Sequence, residues 1–185
     1  MTNKVKFLIL SGGALTSFVY CLTSPIIQIY FIKLINAETL AMATILSTGL
    51  AAIVNGTIQS DKIKDFYRKN FLWIILLDVI CFSFIVFEGL VFPEVRYLGL
   101  AVLNAVSSTL WMTVMRDAVN HKLRDGELTK WDSLMKSSDL TSALLGSITA
   151  MMFTNINIEY CVGAQCVANA IMGFTDWTAY QEIRY

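Results

Sequence analysis

The chain has 185 residues, 56% of them hydrophobic and only 15% charged, with 14 Lys and Arg balanced by 14 Asp and Glu. A mean hydropathy of +0.60 is too high for an ordinary soluble domain, because a chain this short cannot bury nearly every helix on all faces. Zero net charge removes the electrostatic case for a nucleic-acid partner, and the lipid bilayer is left as the expected environment.

Charges cluster at the start, around 59–70, around 116–139 and near the end. The apolar runs between them predict an all-α, polytopic transmembrane bundle in one domain, with about six spans at 5–32, 38–58, 71–92, 96–119, 138–154 and 158–178. The first run is too long for a signal-peptide core and reads as a retained span, kinked or tilted at Pro25. Beyond Gly12 and Gly13 its polar face carries Thr16 or Ser17, then Tyr20, Ser24 and Gln28. The second span has small residues at four-residue spacing: Ala43, Ser47, Ala51 and Asn55, with Thr44, Thr48, Ala52 and Gly56 beside them. Such stripes let helix backbones approach closely, either between protomers or within one.

The segment 59–70 is short and basic. In the third span Asp78 lies about 10 Å inside the cytoplasmic end. An acid at that depth reads as a proton site or as a buried ion pair, for which Arg116 is within reach. Glu88, Asp139 and Asp176 lie nearer span ends and read as interfacial. The fourth span gathers Asn104, Ser107, Ser108 and Trp111 on one face. Polar faces of this kind are costly against lipid and suit a cavity for an uncharged or amphipathic solute, or hydrogen bonding between helices. The segment 116–139, with Leu123, Leu128, Trp131, Leu134 and Met135, reads either as an amphipathic surface segment or as a helix continuing with a solvated face. The fifth span repeats the small stripe at Ser142, Gly146 and Ala150.

Orientation follows from the basic residues. With both termini in the cytoplasm, Lys4, Lys6, Lys62, Lys64, Arg68, Lys69, Arg116, Lys122, Arg124, Lys130, Lys136 and Arg184 lie inside, and only Lys33 and Arg96 outside. No phosphate loop, GxSxG, HExxH or CxxC occurs; all cysteines fall in apolar runs, and the single histidine, His121, in a basic segment. These motifs give no expectation of an enzyme, a catalytic group, a metal or a cofactor.

The helix count, the basic 2–3 segment and the long 4–5 segment resemble one half of a major facilitator superfamily transporter. Gly56-Thr-Ile-Gln-Ser-Asp61-Lys62 followed by Arg68-Lys69 is similar to a degenerate form of that family's 2–3 loop signature. Its Gly-to-Asp gap is one residue too long and its second glycine is absent. Arg124-Asp-Gly-Glu-Leu-Thr-Lys-Trp-Asp-Ser-Leu and Leu144-Leu145-Gly146-Ser147 resemble its 4–5 loop and fifth helix, without the family's antiporter glycine–proline motif. The resemblance implies gating by Asp61 and Arg68, a cavity lined by Tyr20, Ser24, Gln28, Asn104, Ser107, Ser108 and Trp111, and proton coupling at Asp78. Family members carry two such halves, so a homodimer would rebuild the unit, with Ser47, Ala51, Ser142, Gly146 and Ala150 at the interface and the sixth helix peripheral. The expected function is secondary transport by alternating access in a bacterial inner membrane, exporting a small amphipathic solute or peptide. The alternative is a non-transporting immunity or accessory protein, or a half that pairs with a different half.

Overall fold

The computed structural model describes residues 1–58, 60–73, 75, 76, 79, 80, 92–123, 125–153 and 156–183. They are helical almost throughout, with no strand among them. Six helices have both bounds described: α1 (Asn3–Leu34), α2 (Ala37–Thr57), α3 (Asp61–Lys69), α4 (Pro93–Asn120), α5 (Asp125–Met152) and α6 (Ile158–Ile183). Residues 71–73, 75, 76, 79 and 80 are helical as well; the rest of the third apolar run, including Asp78 and Glu88, lies outside the described residues.

Local chemistry sets the helix boundaries. The Thr2 hydroxyl accepts from the Val5 amide and starts α1, and Asn36 caps α2 by accepting from Thr39 at 2.8 Å. Pro93 opens α4 at its first turn, where a missing N–H costs nothing. Pro25 does not break α1, which stays helical through all 32 residues, a length of about 48 Å. The segment 125–137 is the first half of α5 rather than a separate surface segment. Of the two readings open for it, helix continuation is the one realised, with Trp131 buried and Lys130 and Lys136 exposed.

The buried side chains form two clusters at opposite ends of the bundle. One holds Val5, Ile9, Ile58, Phe71, Ile75, Val114, Val119, Leu123, Trp131, Tyr180 and Ile183. The other holds Ile27, Phe31, Ile35, Cys161 and Val162, with Leu40 and Tyr97 packed on it. Thus the start of α1, the end of α2, the end of α4, the start of α5 and the end of α6 share one end. Among the described helices α1 and α5 run from this end to the other and α2, α4 and α6 run back; the chain is at the first end at Phe71 and at the second with Pro93. Lys4, Lys6, Lys62, Lys69, Arg116, Lys122 and Lys130 lie toward the first, hereafter basic, end; Lys33 and Arg96 lie at the other.

α1 packs along α5 and α6, and α2 packs along α4. α1 and α6 are antiparallel, from the Lys4–Glu182 ion pair at the basic end to Phe31 beside Cys161 and Val162 at the other. α1 and α5 are parallel, Ser17 meeting Asp139 and Phe18 meeting Gly146. Among the described helices two, α1 and α2, are long and apolar enough to cross a membrane, and only 6% of the apolar window of α2 is buried. A core helix of a soluble protein would be mostly buried. Large apolar side chains are exposed along the bundle, among them Phe7, Ile45, Ile53, Met112, Leu140, Leu144 and Phe174.

Candidate functional site

Between the two apolar ends the helices meet through small and polar residues. A Cβ on Gly146 would run into the Phe18 carbonyl oxygen of α1, and one on Gly12 would run into Thr175 Oγ1. These glycines therefore set how closely α1 approaches its neighbours. In the space so created, Gln165 Nε2 donates to Thr23 Oγ1 at 2.6 Å, and the Thr23 hydroxyl donates to the Val19 carbonyl at 2.7 Å. Thr16 donates to the Ala168 carbonyl at 3.5 Å, and Ser17 to Asp139 Oδ1 at 3.2 Å. Gln165, Asn169 and Asp176 are all at most 6% exposed and follow one stripe of α6. Gln165 Oε1 is buried with no hydrogen-bond partner among the described residues. A polar layer thus runs down the α1–α6 seam, with Asp139 joining it from α5.

This layer corrects two expectations. The sixth helix is not peripheral: it carries ten buried residues and forms one of the main partners of α1. Asp176 is buried rather than interfacial, and Asp139 is half-buried in mid-helix against Ser17. The signal was present in α6 as Gln165, Ala168, Asn169, Gly173 and Asp176, one helical face of small and polar residues. These residues are spaced singly among apolar neighbours, so no contiguous polar run marked the seam.

The residues expected to line a cavity divide by helix. On α1, Tyr20 is 47% exposed, Gln28 is exposed and donates to Ser24 Oγ at 3.3 Å, so this polar face points away from the helices that pack on α1. On α4, the side chains of Asn104, Ser107, Ser108 and Trp111 lie outside the described residues, as does Asp78. α1 and α4 touch at the end opposite the basic residues, where the rings of Phe31 and Tyr97 are 5.0 Å apart.

The small stripes are used largely inside the chain. Gly146 is buried against α1, and Ser142 and Ala150, half-buried, share its face. Within the chain the close approach at Gly146 is made by α1, through Phe18 and Cys21. On α2, Ala43 is buried and Ser47 and Ala51 are half-buried, turned inward, while Thr44, Thr48, Ala52 and Gly56 are exposed. The outward stripe is the second of the two, and a Cβ on Gly49 or Gly56 would meet nothing within 4 Å.

At the basic end α3 lies against the end of α4. Arg68 pairs with Asp117 and, at 3.3 Å, with Asp65 of its own helix, and His121 Nε2 is 3.7 Å from Asp117. The hydrogen bond from Arg68 to Asp117 is the largest influence holding the guanidinium pKa above its ordinary value. The Asp61 side chain lies outside the described residues, so the partner seen for Arg68 across the 2–3 segment is Asp117 of α4.

No family model, curated protein or solved structure matches the chain. The class defined is an all-helical bundle with apolar helices of membrane-spanning length.

Proposed function

We propose that this chain spans a membrane and is one half of a secondary transporter that functions as a homodimer by alternating access, exporting a small amphipathic solute or peptide. The observation that carries this reading is the helix pairing. Exchanging the first three spans for the last three turns the α1–α5 pair into the α4–α2 pair. Successive three-helix units of alternating direction related in this way form an inverted repeat, the usual internal architecture of secondary transporters. The distribution of basic residues supports the orientation, with both termini and α3 on the cytoplasmic side.

In this reading the outward polar face of α1, with Tyr20, Ser24 and Gln28, joins α4 in lining the cavity. The exposed stripe of α2, Thr44, Thr48, Ala52 and Gly56, meets the second copy. Proton coupling falls to an intramembrane acid, Asp78 as read from sequence or the buried Asp176. The test is efflux of an uncharged amphipathic dye from proteoliposomes under an imposed pH gradient. Gradient-dependent efflux that Asp176→Asn or Asp78→Asn slows supports the reading. Absence of flux from a folded, inserted chain assigns it instead to the non-transporting membrane proteins.

A further inference from the structure

We propose that the cleft between α3, the end of α4 and the end of α6 binds the phosphate group of an anionic phospholipid headgroup. The inference rests on the membrane reading above but not on transport or dimerisation. The cleft has a volume of about 350 Å³ and is lined by Arg68, Ala118, His121, Lys122, Tyr180 and Ile183. That volume is at the lower end for a small-molecule site and fits a headgroup.

The ionisable side chains that line it are basic, apart from the phenol of Tyr180. Arg68 is held in place by Asp117 and Asp65, and among the described residues these two carboxylates take up two of the five donors of its fork. Lys122 is exposed and makes no ion pair among the described residues. His121 adds a ring nitrogen that Asp117 orients. Two fixed cations and an imidazole around one concavity suit a phosphate, Arg by its fork and Lys as a point charge.

The remaining walls distinguish a lipid from free phosphate. Tyr180 packs on Phe71 with ring centroids 4.9 Å apart and the planes tilted by 42°, and Ile183 closes the apolar side. Directly after Phe71, Leu72 and Trp73 are exposed, Trp73 by 68%. A free phosphate gains nothing from this surface, whereas acyl chains descending from a bound headgroup would cover it. Trp prefers the headgroup level, and the basic end faces the leaflet that is anionic in cells. Because the cleft walls come from three elements on both sides of the third span, an occupying headgroup would tie α3 to the ends of α4 and α6.

The full chain in mild detergent, titrated with phosphatidylglycerol, phosphatidylcholine or inorganic phosphate and followed by native mass spectrometry and Trp fluorescence, tests this. Saturable binding of phosphatidylglycerol at least tenfold tighter than phosphatidylcholine is expected. Lys122→Gln should weaken it about fivefold, Lys122→Arg should restore it, and Lys33→Gln at the opposite end should change nothing. Millimolar inorganic phosphate should not compete. Equal binding of the two lipids, or equal effects of Lys122→Gln and Lys33→Gln, overturns the site. Competition by inorganic phosphate at similar affinity overturns the lipid and assigns a soluble phosphate. A chain that stays dispersed without detergent would instead overturn the membrane reading itself.

Discussion

Gly146→Ala probes the packing on which the bundle depends. The added Cβ would meet the Phe18 carbonyl oxygen, with Phe18 C at 3.1 Å and Cys21 Cβ at 3.2 Å. Two of those atoms are helix backbone and cannot rotate away, so α1 and α5 must separate by about 1 Å to recover ordinary contact distances. Overpacking of this kind costs about 1–3 kcal/mol, and exchanging Gly for Ala in a helix returns about 1 kcal/mol. A net loss of up to about 2 kcal/mol corresponds to a fall in Tm of up to about 8 °C for a chain of this size, whereas the unopposed exchange at an open position should raise it. Thermal unfolding in detergent, followed by circular dichroism, reads it directly. Gly49→Ala is the matched control, since nothing lies within 4 Å of its added methyl. A Tm for Gly146→Ala equal to or above that of Gly49→Ala would refute the close α1–α5 contact.

Three further outcomes are expected. Gly173→Ala should be milder than Gly146→Ala, because the three atoms nearest the added Cβ belong to the Ile75 side chain and none to backbone, and a reversed order in Tm would contradict that. A double-mutant cycle of Thr23→Val and Gln165→Leu should give a coupling of about 0.6 kcal/mol and at most about 1.7, as hydrogen bonds between membrane helices do; zero coupling would mean the α1–α6 bond does not form. The Arg68–Asp117 pair is 35% and 24% exposed, so Asp117→Asn should cost no more than about 1 kcal/mol. A group whose folded pKa is raised contributes stability that is lost only as pH rises through that value. For Arg68 this lies above its ordinary, already alkaline range, so replacing Arg68 with Gln should leave the slope of stability against pH between 6 and 9 unchanged.

Helices α1 and α2 were legible as apolar runs because crossing length and hydrophobicity coincide in them. Their partners were not. Gly146 and the Ala43–Ser47–Ala51 stripe announce close approach, but a stripe does not say whose backbone approaches. The structure gives Gly146 to Phe18 of the same chain and turns Ala43 inward. The importance of α6 escaped because Gln165, Asn169 and Asp176 are spaced among apolar neighbours, and only the antiparallel docking on α1 shows that they share a buried seam. The Arg68–Asp117 pair joins residues 49 apart in sequence, which no local motif could register. The extension of α5 back to Asp125 was one of two readings, since its charges suit a solvated helix face as well as a loop.

The homodimer is tested most directly by disulfide cross-linking in native membranes. Cys21, Cys81, Cys161 and Cys166 are first replaced, and single cysteines are placed at Thr44, Thr48 and Ala52 on the exposed stripe of α2, with Leu140 on the exposed face of α5 as the control. Oxidation is predicted to yield a covalent dimer from at least one α2 position at concentrations where Leu140→Cys yields none. A chain that remains monomeric at all three α2 positions, while each variant stays folded, would contradict the account.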